Sequence, residues 1–133
     1  MVDLENDIFT AVAEALRASH TGINVTPEYI NAPSSFPSVS IVEANNYVVP
    51  SARTLNIENA VNVMYEVNVY SNKASGKKAE AKDIAATLDE KFAEIGFTRT
   101  MMSRVPNYND ASIYRIVCRY EAIIDKDFWI YHN

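Results

Sequence analysis

The stretch VNVMYEVNVY at residues 61–70 decides the fold class. Apolar side chains occupy every second position, at Val61, Val63, Tyr65, Val67 and Val69, and a mixed set of side chains fills the positions between them. A side-chain period of two is typical of a β-strand that turns one face toward a core. The pattern therefore predicts a strand with one apolar face and one mixed face.

The next segment of the chain changes period. Between residues 75 and 95, apolar side chains recur at intervals of three and four, at Ala81, Ile84, Ala85, Leu88, Phe92 and Ile95. This spacing predicts an amphipathic helix. Ser75 is the expected N-cap, and Gly96 followed by Phe97 is the expected C-terminal stop.

The remaining segments complete an α-β-β-α-β-β order. We predict a first helix over residues 4–19 with Asp3 as its N-cap, and a strand over 39–44 after a connector with a short extended piece at 23–25. A long loop at about 45–60 follows, then a hairpin of strands at 97–105 and 112–124 and an aromatic tail at 126–133. Paired hairpins with helices on one face make an α+β two-layer sandwich. We expect one domain over 1–133, with a four-stranded, mainly antiparallel sheet and two helices on one face.

Composition narrows the function classes. The 133 residues carry 12 basic and 17 acidic side chains, a net charge of −5, which argues against nucleic-acid binding as the main role. Three glycines leave no glycine-rich phosphate loop of either common type. A single cysteine, no secretory signal pattern and no long apolar run lead us to expect a soluble cytoplasmic protein without a membrane partner.

The sequence offers little for catalysis. His20 and His132 lack metal-ligand spacing, and Cys118 falls on an apolar strand face, where packing is the expected role. Glu43 and the acidic group of Glu121, Asp125 and Asp127 would need an apolar cleft to act as acid–base pairs, and they are expected to be solvated instead. We therefore expect no catalytic, cofactor-binding or metal-binding residue, and no enzyme.

Two groups of residues favour assembly. Lys73, Lys77, Lys78 and Lys82 form one basic cluster, which is either a solvated face, a surface for an acidic partner such as a second copy, or a phosphate contact. Aromatic side chains in loops, at strand ends and in the tail are typical of protein interfaces, although they could instead cover the open side of the sheet. The predicted interface residues are Lys73, Lys77, Lys78, Tyr47, Tyr108, Trp129 and Tyr131; Tyr70 belongs to the same aromatic group.

The tail carries four large side chains in succession. An extended segment sends alternate residues to opposite sides. Phe128 and Ile130 are therefore expected on one side and Trp129 and Tyr131 on the other, one pair closing the domain and the other meeting a neighbouring subunit or partner. The alternative is that the whole segment folds back onto its own sheet.

Four stretches resemble a known family. These are FPSVSIVEANN (36–46), ENAVNVMYEVNVYSNKASGKKAEA (58–81), GFTRTM (96–101) and PNYNDASIYRIVCRYEAII (106–124). They are similar to small proteins encoded in the tail-module regions of long-tailed phages and prophages of Gram-positive bacteria, often described as minor capsid proteins. The family's layout is similar to that of tail terminator, or tail-to-head joining, proteins.

The resemblance implies a virion structural protein that assembles in the host cytoplasm. A homohexameric ring would cap the tube of the major tail tube protein, end its polymerisation and present a surface to the head–tail connector or stopper protein. A net negative lumen would let DNA pass without specific binding. The alternatives are a neck or head-completion protein that binds the connector, and a small α+β ligand-binding domain or enzyme.

Overall fold

The computed structural model describes residues 1–30, 32–52, 59–107 and 110–132. The two helices are α1 (Glu5–Ser19) and α2 (Lys77–Glu94). The strands are β1 (Asn24–Thr26), β2 (Ser38–Val48), β3 (Ala60–Ser71), β4 (Thr98–Arg104), β5 (Tyr114–Asp125) and β6 (Ile130–His132), and a 3₁₀ turn spans Pro50–Ala52. In the described ranges, neither helix combines the length and apolar character needed to cross a bilayer.

The strands form one mixed sheet in the order β1-β2-β3-β5-β4. β3 pairs along its whole length with β5, so β4 and β6 share the other edge of β5. β1 runs parallel to β2, and every other described pairing is antiparallel. The α+β class is therefore confirmed, but the sheet has six strands instead of four. β1 and β6 are three residues each, too short to display a period in the sequence.

The core lies between the helices and the face of the sheet that carries Tyr65. Phe92 of α2 stacks on Tyr120 of β5 with ring centroids 4.2 Å apart, and Tyr65 meets Phe97 edge-on at 5.6 Å. Cys118 is fully buried in the same layer, as its expected packing role requires. These aromatic contacts hold α2 against this face of the sheet and leave the other face for other contacts.

The ends of the two helices agree in part with those predicted from the sequence. The C-terminus of α2 is confirmed, because Gly96 has φ of 103° and the N–H of Phe97 donates to the Phe92 carbonyl at 2.8 Å. The predicted N-cap at Ser75 is wrong, since the cap position is Gly76 and has no side-chain cap. At α1 the cap position is Leu4, while Asp3 Oδ1 accepts from the Glu5 N–H at 3.0 Å.

β2 is longer than predicted. It runs to Val48 because a bulge between Glu43 and Asn45 lets pairing with β3 continue past Ala44. The loop expected at 45–60 therefore begins only after Val48, and residues 53–58 lie outside the described residues. Glu43 precedes the bulge and faces the helices like Val39 and Ile41; after the bulge, Tyr47 is paired with Asn62 and so lies on the opposite face.

Candidate assembly surfaces

The lysine patch, defined as Lys73, Lys77 and Lys78, lies where β3 gives way to α2. Lys73 and Lys78 are exposed, and Lys77 Nζ donates to the Ser112 carbonyl at 3.1 Å. The three ion pairs seen between described residues lie elsewhere, at Lys91–Glu94, Arg99–Asp89 and Arg119–Glu66. The charge of Lys77 also acts on the Asp110 carboxylate, so the exposed positive charge of the patch lies mainly at Lys73 and Lys78.

The aromatic row crosses the sheet on the face away from the helices. Tyr47 pairs with Asn62, Asn62 with Ile123, and Ile123 with Tyr131, so one row spans four strands. Tyr47 is 64% exposed and Tyr131 is 51% exposed. The fold therefore places two of the predicted interface aromatics at the two ends of one row, about 14 Å apart and at some distance from the lysine patch.

The turn before β6 is organised by one carboxylate. Asp125 Oδ1 accepts from the backbone N–H groups of Asp127 (2.9 Å) and Trp129 (3.0 Å), and Oδ2 accepts from the Tyr131 hydroxyl at 3.1 Å. Trp129 is left 67% exposed beside the aromatic row. Phe128 was expected to share a side with Ile130, and this is wrong. Its φ of 65° breaks the alternation, so Phe128 is exposed while Ile130 packs against the core.

Part of the open face is covered from within the chain. The Tyr70 hydroxyl donates to the Ile30 carbonyl at 3.1 Å, and Tyr70 is only 4% exposed, so it is not a surface aromatic as its sequence position suggested. Arg119 pairs with Glu66 at 3.2 Å on the same face. Exposed aromatic area is thereby concentrated at the end of the sheet that holds the aromatic row. Tyr108 lies outside the described residues.

Sequence reasoning missed an acidic patch, defined as Asp3, Glu5, Asp7 and Glu43. Strand alternation continued from Val39 and Ile41 places Glu43 opposite Tyr65, on the helix-facing side of the sheet. Burial, followed by the nearby charges of Glu5 and Asp3, raises the pKa of Glu43 to about 7, and Glu5 also hydrogen-bonds to it. Glu43 was expected to be solvated, but it is half-buried and has Glu5 as a carboxyl neighbour. The neighbour comes from α1, a contact that no local spacing reveals.

The polar side chains of the depression that could bind a small molecule pair with one another. A depression of about 350 Å³ between α2 and β4 is lined in part by Asp89 and Arg99, which pair at 3.7 Å. The Tyr120 hydroxyl lies 3.3 Å from the same aspartate. Burial raises the pKa of the Cys118 thiol, and in the part of the chain that the structure describes no cluster of His, Cys, Asp and Glu is placed to hold a metal ion.

Comparison with known proteins gives a likeness of fold. No protein-family model matches the chain, and no curated protein sequence does. Among solved structures, a chain of the "Virion of native gene transfer agent (GTA) particle" is similar, with a TM-score of 0.61 and 18% sequence identity. The similar region covers 87% of this chain and 92% of that one, so the likeness extends over nearly the whole of both.

Proposed function

We propose that this chain is a virion structural protein without enzymatic activity, which caps the tail tube, ends tail polymerisation and joins the tail to the head. The observation that carries the proposal is the fold likeness to a chain of a gene transfer agent virion over 87% of this chain. The resemblance of residues 36–131 to the tail terminator family points the same way. In the depression between α2 and β4, Asp89 and Arg99 pair with each other, which weighs against the competing ligand-binding role.

The proposed assembly is a ring of six copies. A ring uses a heterologous interface, in which one patch meets a different patch of the neighbour. The chain offers several distinct patches for this purpose, including the lysine patch and the aromatic row with Trp129. The proposed partners are the major tail tube protein on one side and the head–tail connector or stopper protein on the other, with DNA passing through the lumen.

The test is a tube-length assay. Purified tail tube protein is allowed to polymerise with and without this chain, and tube lengths and tips are measured by electron microscopy. We expect shorter tubes with a ring at one tip. Unchanged lengths with bare tips would overturn the proposal.

A second experiment distinguishes the proposed tail-capping role from the alternative role as a neck protein. Co-sedimentation with connector rings is compared with co-sedimentation with tubes. Binding to the connector together with indifference to tubes would assign the chain to the neck instead of the tail end.

A further inference from the structure

We propose that the acidic patch binds the lysine patch of a second copy of this chain. Neighbouring copies would then contact each other head to tail through two different surfaces. This inference rests on the proposed ring. It names the residues through which one copy would bind the next.

The acidic patch is built to receive a cationic side chain. Its carboxylates come from the start of α1 and from β2, and both the charge of Glu5 and a hydrogen bond with it act on Glu43. Glu43 is half-buried and Glu5 is exposed beside it, and no described ion pair supplies the compensating charge that a buried carboxylate usually has. The amide of Asn46 is a contact that favours the ionised form of Glu43, and Asn46 also donates to the Val2 carbonyl at 3.1 Å.

A buried hydroxyl adds an independent sign of a missing ligand. Tyr65 is fully buried, and its hydroxyl has no hydrogen-bond partner among the described residues. The charges that act on this hydroxyl are those of Glu43, Glu5 and Asp3, so it faces the acidic patch. Buried polar groups are almost always paired, so an unpaired hydroxyl beside the acidic patch marks this place as short of a hydrogen-bonding partner.

The site suits a side chain better than a metal ion. A depression of about 240 Å³ opens beside the acidic patch and is lined by residues 3–7. The described carboxylates are not grouped closely enough to hold a metal. A lysine ammonium donates three hydrogen bonds from the end of a flexible stem, and it can therefore reach acceptors that are spread more widely.

The lysine patch of the same copy cannot fill this site. Glu43 lies opposite Tyr65, and the lysines lie beyond Ser71, the last residue of β3. At the rise of a strand, that separation along β3 alone is about 20 Å. The two patches have opposite charge and neither is neutralised by a described ion pair, so they complement each other only between copies.

Charge-swapped variants test this pairing. One variant carries D3K, E5K and D7K, and the other carries K73E, K77E and K78E. Each variant alone should self-associate about tenfold or more weakly than the wild type in sedimentation experiments, because like charges now meet. An equal mixture should recover the association, since every contact in an alternating assembly is again attractive. Failure of the mixture to recover would overturn the proposal, because the patches would then serve other partners.

Cross-linking of the wild-type chain supplies a readout that does not depend on the variants folding. A carbodiimide joins carboxylates to lysines in contact, and a mixture of ¹⁴N and ¹⁵N copies marks the links that form between copies. We expect mixed-label links between residues 3–7 or 43 and residues 73–78. Mixed-label links confined to other surfaces, or none at high protein concentration, would overturn the proposal. Links found in a chain that fails to cap tubes would contradict the proposed function and leave this contact standing.

Discussion

Glu43 is a carboxylate on the helix-facing side of β2, with Glu5, Asp3 and the ring of Tyr65 around it. Burial and its acidic neighbours both disfavour the ionised form, which is why its pKa rises from 4.5 to about 7. The folded chain therefore keeps a proton that the unfolded chain releases at lower pH. Its place on the helix-facing side of β2 gives this residue a half-buried environment, unlike that of the exposed Glu5 and Glu14 on α1.

The first prediction concerns pH and stability. Between about pH 4.5 and pH 7 the native state binds more protons than the unfolded state, so the free energy of unfolding should fall as pH rises. Because Glu43 is only half-buried, solvent screening should keep the fall to about 1–2 kcal/mol. The E43Q variant should lose this slope and be more stable than the wild type above pH 7. Urea unfolding across this range measures it, with E14Q as the control on the exposed face of α1. An unchanged slope in E43Q would contradict the assignment.

At the scale of elements, β6 and α2 meet at Gly96. A Cβ at this position would lie 3.0 Å from Ile130 Cγ2 and 3.2 Å from the Ile130 carbonyl oxygen. The positive φ already favours glycine there. One residue thus ends the helix and also leaves space for the last strand.

The second prediction follows from that double role. The G96A variant should lose about 2–3 kcal/mol of stability, because backbone strain and a clash with β6 add together. Gly22 provides the matched control, since its φ is 80° but nothing lies within 4 Å of a Cβ there. G22A should lose only about 1 kcal/mol in thermal or urea unfolding. Equal losses in the two variants would show that Ile130 does not constrain Gly96.

The third prediction concerns the exposed Trp129. Because its side chain is largely in solvent, W129A should change the free energy of unfolding by no more than about 0.5 kcal/mol. If this residue meets a neighbour or the tube, capping should weaken by about 2 kcal/mol or more. W129F retains an aromatic ring and is the control. A destabilised variant that caps tubes normally would instead make Trp129 a residue of the fold.

At the scale of the whole molecule, the net charge determines how strongly the proposed ring would bind DNA. In the proposed ring, six chains of 14.9 kDa and charge −5 would give a mass of about 90 kDa and a net charge of about −30. The fourth prediction is weak binding of double-stranded DNA even at low salt, because phosphates are repelled. Native mass spectrometry and a fluorescent-DNA titration measure the two properties. A closed dimer, or tight and salt-sensitive DNA binding, would contradict the ring.

Periodicity in the sequence predicts the long helices and strands, but it cannot predict strands of three residues. β3, α2 and β5 each repeat their pattern often enough to be recognised, which gave the class and the antiparallel centre of the sheet. The short strands β1 and β6 carry no such pattern. Tyr47 and Tyr131 could be named as exposed aromatics, but their common row depends on register across four strands. The contact of Glu5 with Glu43 joins distant segments, so it emerges only from the fold.

The central position of β3 implies a gradient of amide hydrogen exchange across the sheet. β3 is paired on both sides along most of its length, so its amides should exchange only when the whole domain opens. β1 and β6 are held by three residue pairs each at the margins. Their amides should exchange through local opening. If the β6 amides exchange more slowly once the chain is bound to a tail tube, the end of the sheet that holds the aromatic row becomes ordered on binding.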